Sequence, residues 1–348
     1  MVAMRLTFLV LALSSGTWFV SADRDGSTGY SLSSPYRQEE MSDALDVSHW
    51  PWKRWNGSYL VAHNLKATSD SPVVALFDAH GVRVRTGTVW FPSATSVSVR
   101  GAAADSVGTI FVSGGSRSVD GSLAFFIAQL DNNGRVSGVV RTTPFIALHL
   151  CTTGDGTIWA LGSDRQAQRD RSANLILRQF SFARGQLRAV LDMASVESGM
   201  PMDTEAMSLF CNSNTVGMLL DSARASIHKW IELDVNTAKI STWQLPALRE
   251  KRKINGLAFT AGGRLFATVH DYSSQEAVSA LFTVEKQKDG LAAWVPVKGT
   301  FGSLAAQDVP IWELLGSEDN DLVYTAERNN KTVVLWSHVH LGRNGSGN

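Results

Sequence analysis

The sequence has no surplus of either charge. Lys plus Arg and Asp plus Glu each number 32. Nothing here suggests a nucleic-acid partner, and none is expected, because such partners demand excess cations to displace counterions from phosphates. Past residue 22 no apolar run approaches the roughly 20 residues that span a bilayer. Helical periodicity is almost missing beyond residue 50; the stretch PALREKRKIN (246–255) is the best exception, and it is short. No GxSxG elbow occurs and no pair of histidines stands at helical metal-binding spacing, so two common routes to hydrolysis have no foothold. What remains is a globular composition, 44% hydrophobic and 18% charged over 348 residues. That suffices for one large domain or two ordinary ones, with ample core and no wholesale disorder.

Cysteine is scarce too: Cys151 and Cys211 are the only two. Both close an apolar run before a polar turn, LHLC at 148–151 and SLFC at 208–211. If those runs are equivalent strands of neighbouring repeats, a disulfide between them is geometrically open, provided the Cα atoms lie within about 7 Å. Two buried free thiols are the other reading. Oxidation fits an exported protein, and the N-terminus has the plan of a signal peptide. One cation in MVAMRL precedes the apolar LTFLVLAL (6–13), and Val20-Ser21-Ala22 offers small residues for cleavage after Ala22. No cysteine follows that point to carry a lipid. The expectation is a signal peptide over 1–22, an N-terminal segment over 23–45, a folded unit over 46–348, and a periplasmic or extracellular location.

Within the folded unit the chain repeats. The segments VVALFDAHGVRV, FIAQLDNNGRV, LRQFSFARGQL, WIELDVNTAKI, LFTVEKQKDGL and LWSHVHLGRNG each read as strand, polar turn and strand. Their turn positions, Gly81, Gly134, Gly185, Thr237, Gly290 and Gly342, are spaced by 53, 51, 52, 53 and 52 residues. Between them lie GSYLVAHN, VGTIFVSGG, DGTIWALGSD, SNTVGMLLD, GGRLFATVHD and NDLVYTAER, β-type runs led by turn-forming residues. Four strands fit each unit, as in FIALHLC, GTIWALG, NLILRQFSF and QLRAVLDM. The spacing predicts an all-β chain, a six-bladed β-propeller of four-stranded antiparallel blades. Trp159, Trp230, Trp243, Trp294 and Trp336 are expected to fill the wedges between blades. The sixth unit lacks an outer strand, so the segment GSTGYSLSSPY (26–36) is expected to close the last blade, with DVSHWPWKRW (46–55) holding the inner strand of the first. In this frame Asp155-Gly156 is a repeat turn, where other units use Val-Gly, Asn-Thr, Gly-Gly and Asn-Asp, and turn formation explains the carboxylate.

ADSVGTIFVSGG followed by FFIAQLDNNGRV resembles the repeat of the NHL, gluconolactonase/regucalcin-like and TolB-like six-bladed propellers, over residues of about 48–342. The resemblance implies a ring with a central channel and a ligand site at one mouth. It implies no single activity, since propellers host hydrolases, lyases, oxidoreductases and binding proteins. NNKTVVLWSH (329–338) is similar to the closing strand of a WD40 repeat but occurs once, without a Gly-His element. Neither a YWTD box nor a repeated quinoprotein Trp-docking motif is present.

Candidate site residues fall into two sets. Asp164, Asp221, Asp271 and Glu327 end the second strands of four units, with Arg165, Arg224 and Arg328 following and His270 preceding Asp271. They are either a ring of charges around a polar ligand or ion pairs tying loops to neighbouring blades; the second reading is favoured, each pair contributing little. The starts of the inner strands carry Glu205, Asn255, Asp308 and Trp312-Glu313. In gluconolactonase-like enzymes a Glu, Asn residues and an Asp hold a divalent metal through oxygen ligands. The resemblance places Glu205 and Asn255 near such positions, and the other family positions are unmatched. His149 reads as a core or channel residue. Asn56, Asn330 and Asn344 head glycosylation sequons that matter only in a eukaryotic source. The leading expectation is a monomeric exported scaffold that binds a protein or small polar ligand, without catalytic chemistry or cofactor. The alternative is a hydrolase or lactonase assisted by Ca2+ or another divalent metal, with Glu205, Asn255 and Asp271 around the channel.

Overall fold

Side chains that reach their own backbone build the turns. The structure is a computed structural model describing residues 29–40, 52–63, 72–164, 175–182, 185–192, 205–222, 227–246, 248, 252–260, 263–271, 278–298, 309–318, 321–328 and 331–341. In it Asp78 Oδ1 accepts the N–H groups of His80 at 2.8 Å and Val82 at 2.9 Å. Asp105, Asp131, Asn212 and Asp234 cap their turns in the same way. The side-chain oxygen stands in for a backbone acceptor and bends the chain before the next strand begins. Gly81, Gly134 and Gly290 occupy the left-handed region at φ 71°, 72° and 80°, where a Cβ is costly. In the fourth repeat turn the left-handed residue is Ala238, φ 55°, one place after the Thr237 that the spacing selects. Gly185 already begins the strand that leaves its turn, and Gly342 lies outside the described residues.

Strands β1 (Tyr30–Leu32) and β2 (Arg37–Glu40) come first. Four separate four-stranded antiparallel sheets follow. They are β3 (Trp52–Trp55), β4 (Leu60–His63), β5 (Val73–Phe77) and β6 (Arg83–Thr88); β7 (Ala94–Ala104), β8 (Ile110–Ser118), β9 (Leu123–Leu130) and β10 (Val136–Arg141); β11 (Phe145–Thr152), β12 (Ile158–Asp164), β13 (Leu175–Ser181) and β14 (Gly185–Asp192); and β15 (Glu205–Cys211), β16 (Thr215–Ser222), β17 (Ile227–Asp234) and β18 (Ile240–Leu245). The last strands are β19 (Arg252–Phe259), β20 (Leu265–Asp271), β21 (Val278–Lys286), β22 (Ala292–Lys298), β23 (Val309–Glu318), β24 (Asp321–Arg328) and β25 (Lys331–Leu341). These last seven join β1 and β2 in one nine-stranded sheet. The fold is all-β and propeller-like. Arg252–Asn255, within the stretch with the most helical periodicity, lies in β19. Among the described residues no helix is long and apolar enough to cross a membrane.

β1 and β2 both pair with β25. Tyr30, Ser31 and Leu32 face Leu341, His340 and Val339, while Arg37 to Glu40 face Trp336 back to Val333. β1 also runs parallel to β22, with Tyr30 opposite Val297, and so joins the two halves of the nine-stranded sheet. Pairing thus begins inside the 26–36 segment and continues past it, to Glu40. Arg37 spreads its guanidinium over the Trp336 ring at 4.3 Å and donates to the Ala79 carbonyl, which ties this strand to the first sheet as well.

Second strands are buried on both faces. All four residues of β4 and the first six of β8 are buried, whereas outer β10 alternates half-buried and exposed, as a strand with one wet face must. The apolar clusters lie between sheets. Trp159 packs with Leu209, Val216 and Met218 of the next sheet. Trp230 packs with Leu257, Phe259 and Leu265, and Trp336 with Trp55, Leu60 and Phe77. Trp243 and Trp294 sit partly buried at the edge of one such cluster.

The first strands of successive sheets lie against one another, β7 on β11, β11 on β15, β15 on β19, β19 on β23 and β23 on β3. Each of β7, β11, β15, β19 and β23 carries a bulge about three residues before its end, ahead of Gly101, His149, Ser208, Gly256 and Gly316. The extra residue bends the strand inward. Glycine after the bulge is required where backbones meet: a Cβ on Gly101 would come 2.8 Å from the Leu148 oxygen, and one on Gly316 2.7 Å from the Trp55 oxygen.

Candidate functional site

Strand register divides the inner strands into two ends. At the first end Phe145 faces Asp164, Glu205 faces Asp221, Arg252 faces Asp271 and Val309 faces Glu327. The residues nominated from the sequence therefore occupy one rim, where each inner strand starts and its neighbour stops. His270 pairs with Lys253, and Arg328 with Lys331. Asn255 is the extra residue of the bulge in β19, and Trp312 lies within the irregular stretch between Val309 and Glu313 of β23. The side chains of Glu205, Asp221, Asn255, His270, Asp271, Trp312, Glu327 and Arg328 lie outside what the structure describes, and Arg165, Arg224 and Asp308 lie wholly outside it. Asp164 is described. Its carboxylate receives Arg178 Nη2 at 3.1 Å, and that guanidinium stacks on Phe145 at 4.3 Å. Its cation thus comes from the adjacent strand β13, and the two side chains are 32% and 13% exposed. That is an in-sheet ion pair of modest worth.

Just inside this rim two histidines approach each other. His63, at the end of β4, is fully buried. Burial first, then the charge of His149, push its pKa down to about 4; an imidazolium there would lose its hydration. His149 is half-buried in β11. Among the described residues no group of three His, Cys, Asp or Glu is placed to hold a metal.

At the opposite end, about 23 Å away along the seven steps of β11, the turns between first and second strands surround a cavity of about 420 Å³. Arg54 forms its floor. From β3 its Nη1 donates to the carbonyls of Leu150 (3.2 Å) and Leu209, and its Nη2 donates to Ser208 Oγ at 3.1 Å. The guanidinium lies over the Phe210 ring at 4.5 Å. One side chain thus bridges the first, third and fourth sheets across the middle of the molecule. Burial pushes its pKa down to about 10, which leaves it charged at neutral pH. The wall is stitched around the ring. Asn56 Nδ2 donates to the Ala104 and Asp105 carbonyls, Thr152 Oγ1 to Ala104 and Ser317 Oγ to Phe259. Cys151 and Cys211 are bonded, with Cα atoms 5.5 Å apart, and both line the cavity.

Asp155 belongs to this end and is committed to its own turn. It accepts the Thr157 N–H at 3.0 Å and the hydroxyls of Thr153 and Thr157 at 2.6 and 2.8 Å. Partial burial raises its pKa, and those hydrogen bonds outweigh burial and leave it lowered. Sequence reasoning missed Arg54. The only signal was a cation between the two tryptophans of WKRW (52–55), which reads equally well as an ordinary strand.

No family model matches the chain, and no curated protein is similar to it in sequence. Among solved structures it is similar to a protein of unknown function from Dyadobacter fermentans, at 10% identity and a TM-score of 0.49, over 90% of this chain and all of that one. It is also similar to a levansucrase mutant from B. megaterium, at 10% identity and a TM-score of 0.40, over 79% of this chain and 92% of that one. Both scores lie below 0.5, and the reading of the fold rests on the sheets themselves.

Proposed function

We propose that the chain is an exported six-bladed β-propeller acting as a binding scaffold, with a protein or small polar ligand engaged at the rim where inner strands start. The blade count draws its support from the 51-to-53-residue turn spacing and from β1 and β2 completing the sheet of β23 to β25. One observation carries the scaffold reading. Asp164, the rim carboxylate whose side chain is described, is held by Arg178, so it serves architecture and leaves ligand contact to the loops that differ between repeats. The protein is expected to work as a monomer in the periplasm or outside the cell, without nucleic acid or cofactor.

A second reading is favoured by the pairing of Glu205 with Asp221. Two acidic residues directly opposite on adjacent strands repel unless a cation sits between them. In that reading Glu205, Asn255 and Asp271 would hold Ca2+ or another divalent ion for hydrolase or lactonase chemistry through oxygen ligands. Calorimetric titration of the purified protein with CaCl2 and with ZnCl2 separates the two. Saturable binding abolished in Glu205→Ala supports the metal site; absence of binding supports the scaffold. Mass spectrometry of the exported protein should find Asp23 at its N-terminus.

A further inference from the structure

The cavity at the turn end differs in chemistry from the rim. Its volume of about 420 Å³ falls within the range of small-molecule sites, roughly 300–1,000 Å³. The one ionic side chain among the described residues lining it is Arg54, which is half-buried there. Asp105 and Asp155, in the surrounding turns, do not line it; they turn their carboxylates onto their own loops.

Hydrogen bonds around the cup leave part of its polar lining available. Several of its acceptors are already engaged. Asn56 Oδ1 takes the N–H groups of Ser58 and Tyr59, and Asn212 Oδ1 those of Asn214 and Thr215. The Ala104 carbonyl takes Asn56 and Thr152, and the Phe259 carbonyl takes Ser317. Leu150 and Leu209 take Arg54. The donors are not engaged to the same degree. Asn212 Nδ2 and the hydroxyls of Ser58, Ser106 and Ser213 have no hydrogen-bond partner among the described residues. A cup whose one ionic side chain is a guanidinium, with an amide donor and hydroxyls beside it, disfavours a cation and suits an oxyanion, whose charge strengthens each of those hydrogen bonds.

We propose that this cup binds a small organic carboxylate, its oxygens facing Arg54 and the donors of Asn212 and the turn serines, independently of what the opposite rim engages. The wall is preorganised. The Cys151–Cys211 bond and the Asn56, Thr152 and Ser317 bonds already hold the turns, so little order is lost on binding.

The test uses glucuronate and glucose, which share a ring and differ in the carboxylate, titrated calorimetrically into the intact protein. Glucuronate should saturate one site, and glucose should bind at least about tenfold more weakly. Ser58→Asp and Ser213→Asp, at exposed turn positions, should keep the melting temperature and weaken glucuronate about tenfold each by like-charge repulsion. Arg54→Gln should abolish binding; if it also unfolds the protein, the two aspartate variants decide. Glu205→Ala, at the other end, should leave glucuronate binding unchanged. Equal binding of glucose and glucuronate overturns the proposal, as does indifference to both aspartate variants. So does a failure of both glucuronate and citrate to bind at millimolar concentration.

Discussion

Removing residues 23–45 should cost this protein much of its stability, and the cost can be estimated. Tyr30 and Leu32 are 8% and 7% exposed and enter the apolar cluster of β19 to β25 with Phe266, Tyr324 and Leu335. Truncating a buried leucine costs about 2–5 kcal/mol and a large aromatic about 3–5. Losing both therefore costs at least about 5 kcal/mol. The deletion also uncovers the β25 edge from Val333 to Trp336 and from Val339 to Leu341. It removes Arg37 from Trp336 and from the Ala79 carbonyl, loosening the first sheet from the last. Domains hold about 5–15 kcal/mol in total, and one kcal/mol moves the melting point of a large domain by about 2 °C. A fall of at least about 10 °C is expected by circular dichroism or differential scanning fluorimetry. Tyr30→Ala with Leu32→Ala in the intact chain should give the larger part of it. A synthetic peptide of residues 29–40 added to the deleted protein should restore the melting point in a concentration-dependent way, since strand addition recovers both backbone pairing and side-chain burial. A deleted protein melting within about 2 °C of the intact one would refute the closure.

Two further outcomes follow from the interior. Cys151→Ser with Cys211→Ser opens a loop of 60 residues, for which chain entropy predicts a loss of about 4 kcal/mol; melting curves of the oxidised and variant proteins measure it, and equal curves would refute the estimate. His63 is held neutral, its pKa about 4 against 6.5 when unfolded. Between those values the unfolded chain binds the extra proton, so the stability is fully present above pH 6.5 and is lost as pH falls towards 4. The total is about 3 kcal/mol. Urea denaturation at pH 7 and pH 4.5 should show that slope in the natural protein and a flatter one in His63→Leu. Equal slopes would count against the buried neutral imidazole.

Local chemistry was the legible part. Asp78, Asp131 and Asp234 cap turns through bonds to residues two to four places on, so a window of a few residues announces each hairpin, and their regular recurrence announces the repeat. The same logic assigned Asp155 to a turn, where the structure finds it. Trp159, Trp230 and Trp336 were legible as wedges because an indole is the largest apolar side chain available to fill a gap between sheets. The alignment of Asp164, Glu205, Asp221, Asp271 and Glu327 on one rim also followed, since antiparallel register places every strand end beside the next strand's start.

By itself, then, the sequence determined the strand content, the turn positions and which end of each strand a residue occupies. These depend on backbone preferences and hydrogen bonds within a few residues. Only the tertiary structure decided what meets across the middle. Arg54 takes its carbonyl partners 96 and 155 residues away, Cys151 meets Cys211, and Tyr30 pairs with Leu341. Asp164 is paired by Arg178 on the adjacent strand because side chains on neighbouring strands lie closer than those further along a loop. Such contacts exist because the stacked sheets bring distant backbones together, and no short window of sequence contains both partners.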